Sequence, residues 1–233
     1  MARGTTLGQL VAQLKAEIGM SASAAVGQEK IGQLQQLLRR HQELLYDTYT
    51  WPHLRVRHAD KATAAGQRFY DWPAAINPDR VDGAVFRWGS LWQPVTFGID
   101  TEIDYNQFDS GEDVRSDPVL KWDWYDDGGS LQFEVWPMPA TVSTIRFSGI
   151  KALGSLTADA DTADLDDRLI VLFAAAEMRA GQKDEDTKKQ LASARLTRLG
   201  INAIKSGPVV IGGGEADLRR RRPLTIQIAA SSS

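Results

Sequence analysis

Apolar residues recur at helical spacing twice near the start of the chain. Over 6–18 the positions Leu7, Leu10, Val11, Leu14 and Ile18 fall on one stripe, and over 28–48 Ile31, Leu34, Leu38, Leu45 and Thr48 do the same. Thr6 suits the N-cap of the first helix, and the small residues of 19–27 read as the loop of a helical hairpin. The second helix must end near Trp51-Pro52, because proline disfavours helical geometry before it and breaks the hydrogen-bond ladder.

After Pro52 the period changes. Short runs rich in aromatic and β-branched residues occupy 54–57, 68–72, 81–88, 91–97, 120–125, 131–136 and 142–147. Turn signals separate them, among them Asn77-Pro78-Asp79, Gly89-Ser90 and Asp126-Asp127-Gly128-Gly129. The polar stretch 99–118 has no sustained period and reads as a long loop with a helical turn. Helices resume over 163–182, with Leu165, Leu169, Leu172, Phe173 and Ala176 on one face, and over 185–205, with Leu191, Ala194, Leu196, Leu199, Ile201 and Ile204.

The pattern predicts an α+β fold. Residues 1–52 and 150–206 form one helical bundle, since neither hairpin alone has enough partner surface to bury its stripe. An antiparallel β domain, 53–149, is inserted between them. Residues 207–233 form an extended C-terminal arm: Gly212-Gly213-Gly214 as tether, Arg219, Arg220, Arg221 and Arg222 as charged spacer, then one strand carrying Leu224, Ile226 and Ile228. A lone strand must find a sheet edge, in its own chain or another.

With 233 residues, 42% of them hydrophobic, the chain has material for a core, and it has no run of apolar residues long enough to span a membrane. A soluble protein made in the cytoplasm is expected. A net charge of -3 argues against a globally basic nucleic-acid binder, leaving the four arginines as the only local patch. The absence of cysteine excludes disulfides, thiolate catalysis and cysteine-ligated metals, and the three histidines lack ligand spacing.

Other chemistry fails residue by residue. The glycine run is followed by Glu215 and not by Gly-Lys-Ser/Thr, so it is no phosphate loop. The acidic run from Asp159 to Asp167 places Asp164 where a calcium loop needs glycine and Ile170 where it needs glutamate. Asp161 or Thr162 as N-cap, with Asp164, Asp166 and Asp167 in a first helical turn, is the better reading. No Gly-x-Ser-x-Gly elbow is present, and no carboxylate pair stands out near the tryptophans. All seven tryptophans lie between 51 and 136; core packing accounts for them, with a sugar-stacking platform at Trp122 and Trp124 as the alternative. No cofactor is expected, and a binding or assembly component fits better than an enzyme.

Three segments carry a family resemblance: Leu44-Leu45-Tyr46-Asp47-Thr48-Tyr49-Thr50-Trp51-Pro52, Ala65-Gly66-Gln67-Arg68-Phe69-Tyr70-Asp71-Trp72-Pro73, and Phe133-Glu134-Val135-Trp136-Pro137-Met138-Pro139. Over about residues 5–205 the chain resembles the head-to-tail adaptors of tailed bacteriophages, including the tail tubular protein A group of short-tailed phages. Trp72 departs from the leucine frequent before that proline. The resemblance implies a virion structural protein forming a ring, usually of twelve copies, that docks under the portal protein and grips it with the C-terminal arm. It further implies a downstream tail or nozzle protein, double-stranded DNA passing through the channel without sequence-specific binding, no membrane partner, and assembly in the bacterial cytoplasm. Arg219, Arg220, Arg221, Arg222, Leu224, Ile226 and Ile228 are then the arm's contacts with the portal or a neighbour. Trp88, Trp92, Trp122 and Trp124 are the candidate ring-interface aromatics.

Overall fold

The structure, a computed structural model, describes residues 3–20, 28–180 and 184–204. In chain order its elements are α1 (Leu7–Glu17), α2 (Gln28–Thr48), β1 (Tyr49–Thr50), β2 (Arg55–Thr63), β3 (Phe69–Asp71), β4 (Val81–Trp88) and β5 (Leu91–Phe97). Then follow β6 (Lys121–Asp126), β7 (Leu131–Trp136), β8 (Ser143–Ile150), α3 (Asp167–Met178), α4 (Asp184–Arg198) and β9 (Asn202–Ala203). The fold is α+β. Two compact units divide the chain, the first leaving off at Leu54 and resuming at Leu153, the second built on Arg55–Ala152.

In the helical unit α1 starts at a capping box: the Gln9 N–H donates to the Thr6 hydroxyl, and the Thr6 N–H donates to the Gln9 amide oxygen. Its buried stripe is Leu7, Leu10, Val11 and Leu14, and α2 contributes Leu34, Leu38 and Leu45. The central element is α3, buried at Leu169, Ile170, Val171, Leu172, Ala174, Ala175 and Ala176; small residues let the other three helices approach it.

Three details of this unit differ from the periodicity. First, α3 begins at Asp167, four residues later than expected, because Asp166 and not Asp161 or Thr162 is its N-cap. Residues 159–163 instead hydrogen-bond to the N-terminal segment, with Leu7 N–H donating to the Asp161 carbonyl and Ala163 N–H to that of Thr5. Second, α4 stops at Arg198. Gly200 adopts φ 63°, and the paired bonds from Ile201 N–H to the Leu196 carbonyl and from Gly200 N–H to that of Thr197 form a Schellman ending. Asn202 and Ala203 then pair antiparallel with Thr50 and Tyr49. Third, α4 buries Ala192 and Leu196 and leaves Leu191 exposed. Its rotation brings Arg195 onto Asp166, which decides the face.

The β unit is one seven-stranded sheet in the order β2-β8-β4-β5-β6-β7-β3. Every neighbouring pair is antiparallel except β5–β6, where Thr96 lies opposite Lys121 and Phe97 opposite Trp122 in parallel register. The sheet folds over itself. Phe147 of β8 touches Trp122 of β6 and Phe133 of β7, with ring centroids 5.1 and 5.0 Å apart, although none of these strands is adjacent to β8. One core therefore fills the space between the β2-β8-β4-β5 half and the β6-β7-β3 half, with Phe86, Val95, Val119, Val135 and Ile145 fully or nearly buried. The expected strand 54–57 is longer, continuing to Thr63 along β8 with an irregularity between Val56 and Ala59.

Candidate assembly surface

Two surfaces of the β unit stand out. The first is the turn between β4 and β5. Trp88 pairs with Leu91 across Gly89-Ser90, and Gly89 takes φ 59°, as a two-residue type II′ turn requires at its first position. Phe86 and Trp88 share a strand face, so Trp88 continues the core-facing side beyond the core and is 51% exposed, with Leu91 at 66%. Val142, just before β8, is 76% exposed. On the opposite face Trp92, the cross-strand partner of Arg87, lies under the guanidinium of Arg146 at 4.1 Å. Asp60 holds Arg146 in a bidentate pair at 2.5 and 2.7 Å, and that hydrogen bonding keeps the Asp60 carboxyl below its usual range.

The second surface is the loop 99–118, which covers the outer face of β6 and β7. Asp104 accepts two hydrogen bonds from Lys121 Nζ, at 2.8 and 2.7 Å, and a third from the Asp100 N–H. The Tyr105 hydroxyl bonds to Glu134, whose carboxylate also accepts from Arg68 Nε at 2.6 Å. Burial, then the Glu134 carboxylate, pushes the Tyr105 phenol far above its ordinary range. Phe108 packs edge-on against Trp136 and accepts its indole N–H through the backbone carbonyl. Outside these anchors the loop shows solvent Ile103, Val114, Glu102 and Glu112.

The four aromatics expected at a ring interface divide. Trp88 and Trp92 are exposed at the β4–β5 turn. Trp122 is fully buried, and Trp124 is packed against Trp72, at 4.5 Å between centroids, and Phe97. Alternation along β6 sends both inward: Trp122 has no open face for a neighbour or a sugar, and Trp124 is partly buried against the core, so the two do not form an exposed stacking platform. Arg219, Arg220, Arg221, Arg222, Leu224, Ile226 and Ile228 lie outside the described residues.

The acidic run is structural at each carboxylate. Asp159 accepts from the Gln35 amide, Asp161 from the N–H groups of Thr157 and Ala158, and Asp164 from the Gly154 N–H. Asp166 caps α3 and pairs with Arg195, and Asp167 takes the Thr5 hydroxyl. Among the described residues no group of three or more histidine and acidic side chains could hold a metal, and no helix is long and apolar enough to cross a membrane. His41, one of the three histidines without ligand spacing, is buried, bonded through Nε2 to Glu177 and stacked on Phe173.

The family described as SU10 adaptor protein matches residues 5–223, and the chain belongs to that family. It is thereby a structural adaptor protein of a bacteriophage. No curated protein matches the chain.

Proposed function

We propose that the chain is a head-to-tail adaptor whose copies form a ring, about twelve in number, under the portal and above the next tail or nozzle protein. The observation that carries this reading is the family match over nearly the whole chain. The exposed Trp88, Leu91 and Trp92 support it, because a lone subunit gains nothing from large apolar side chains at a turn tip. A net charge of -3 suits a channel wall that lets duplex DNA pass without holding it. The C-terminal arm grips the portal: its strand supplies main-chain hydrogen bonds at a partner sheet edge, and many arms acting together make the joint avid. The protein resides in the virion, after assembly in the host cytoplasm, and its role is structural and not enzymatic.

Deleting residues 224–233 tests the arm. The truncated chain is expected to keep its circular-dichroism spectrum and melting temperature and to lose binding to the purified portal ring. Unchanged portal binding overturns the arm's role. Electron microscopy of purified particles tests the location, since copies of this chain must lie at the junction of head and tail.

A further inference from the structure

We propose that copies of this chain meet through their β units, the β4–β5 turn of one copy seating on the loop 99–118 of the next. The proposal rests on the ring reading above and specifies which surfaces close the ring.

The turn is built to project. Its two-residue connection keeps Trp88 and Leu91 paired to the very end of the hairpin, past the last core residue on that face, and Val142 adds a third exposed apolar side chain near the start of β8. Arg87, next to Trp88, has no carboxylate partner among the described residues. The loop has the opposite character. It shows Ile103, 61% exposed, and Val114 beside Glu102 and Glu112, neither of which is paired with a cation among the described residues. An apolar tip with a free cation thus has an apolar acceptor with free anions on the same chain.

Their placement decides the kind of association. The turn precedes Leu91 at the start of β5, and the loop follows Phe97 at its end. Six residue steps separate these ends, about 20 Å at the rise of a strand. The loop then covers β6 and β7, in the other half of the folded sheet. Two different surfaces set apart on one molecule cannot satisfy each other within it. They suit a heterologous contact, repeated around a ring, and not a two-fold dimer, in which one patch meets itself. The loop is also held in place by Asp104, Tyr105 and Phe108, so the acceptor needs little ordering upon contact.

The chain has no cysteine, so an introduced pair reports without background. Full-length S90C/I103C protein, assembled and mildly oxidised, is expected to give a ladder of covalent multimers in denaturing electrophoresis, whereas S90C or I103C alone gives monomer. In light scattering, W88A/L91A and E102R/E112R should each raise the concentration for half-assembly about tenfold or more. Adding R87E to E102R/E112R should recover most of that loss. Melting temperatures near that of the parent establish that the variants fold. If the parent assembles and the variants assemble equally well without a ladder, the turn and loop are not the contact, while the ring stands. Cross-linking of S90C to itself makes the association two-fold and overturns the proposal. A parent chain that stays monomeric in solution and forms no ring in purified particles overturns the ring and this contact together.

Discussion

The carboxylate of Asp166 receives Arg195 through both Nε and a terminal nitrogen at 2.7 Å, while accepting the Leu169 N–H as the N-cap of α3. Asp166 is fully buried. One side chain therefore starts one helix, fixes the rotation of the next and neutralises a partly buried cation. The same pairing raises the Arg195 guanidinium above its ordinary range.

Removing Asp166 should cost more than removing an ordinary cap. The cap alone accounts for about 1 kcal/mol, and stranding the partner of a buried pair for about 3 kcal/mol more. Asp166→Ala is expected to lower stability by about 3 to 4 kcal/mol in denaturant titration. Asp166→Ala combined with Arg195→Ala should cost less than the sum of the two single changes, because the second removes a charge already stranded. Additive losses would show that the two residues act separately.

The tryptophans divide in the same measurable way. Trp122→Ala empties the centre of the β core, where Trp72, Phe97, Trp124 and Phe147 all touch its ring, and should cost about 4 kcal/mol. Trp88→Ala removes an exposed ring at the turn and should change monomer stability by no more than about 0.5 kcal/mol. Thermal melts at concentrations below assembly separate the two. A large loss at Trp88 would place it in the core and remove it as a contact residue.

Acid should weaken the helical unit in two stages. Burial lowers the pKa of His41 from 6.5 despite the opposing pull of Glu177, with Arg40 adding to the lowering; burial lowers that of His53 as well. A histidine with a depressed folded-state pKa contributes stability that is complete above 6.5 and is lost as the pH falls below it. Glu177 is held below its ordinary 4.5, first by its hydrogen bond from Arg40, so its contribution persists below the histidine stage and is lost only below 4.5. Stability measured against pH should therefore start to fall near 6.5, and His41→Gln with His53→Gln should flatten that first stage. A fall of equal size in the double variant would assign it to other groups.

Local signals in the chain mark the elements better than they mark the pairings. Periodicity identifies α2 to the residue, since 28–48 carries an unbroken stripe and Trp51-Pro52 stops it. Alternation likewise gives β4, β5 and β7 their observed ends. It misplaces the start of α3 because any aspartate of the run can cap a helix; Arg195, 29 residues away, selects Asp166. It misses the parallel β5–β6 pair because parallel register leaves no mark on either strand. The exposed Trp88 and the buried Trp122 are alike in the sequence, each in an aromatic strand, and only the length of the hairpin beyond the core separates them. The Gly200 ending was readable, as glycine after a helix commonly takes φ above zero, but Ile201 and Ile204 continue the apolar period and conceal it.

The loop 99–118 offers the last test, because its order depends on a few polar anchors and little apolar burial. Glu134 is buried and serves Arg68 and Tyr105 at once. Glu134→Ala leaves the Arg68 Nε–H and the Tyr105 hydroxyl without their acceptor and strands the guanidinium's charge, a loss of about 2 kcal/mol, and that penalty is relieved if the loop lifts and lets water in. Tyr105→Phe removes the hydrogen bond its hydroxyl donates to Glu134 and the one it accepts from Arg68, but keeps the Arg68–Glu134 pair, and should cost about 1 kcal/mol. In amide exchange, protection at Asp104, Phe108 and Val114, whose N–H groups bond within the loop, should therefore fall more in Glu134→Ala than in Tyr105→Phe. Protection in β4 and β8 should not change in either variant. Equal exchange in both variants and the parent would mean that Asp104 with Lys121 and Phe108 with Trp136 hold the loop without Glu134, and Lys121→Met would then be the next substitution to test.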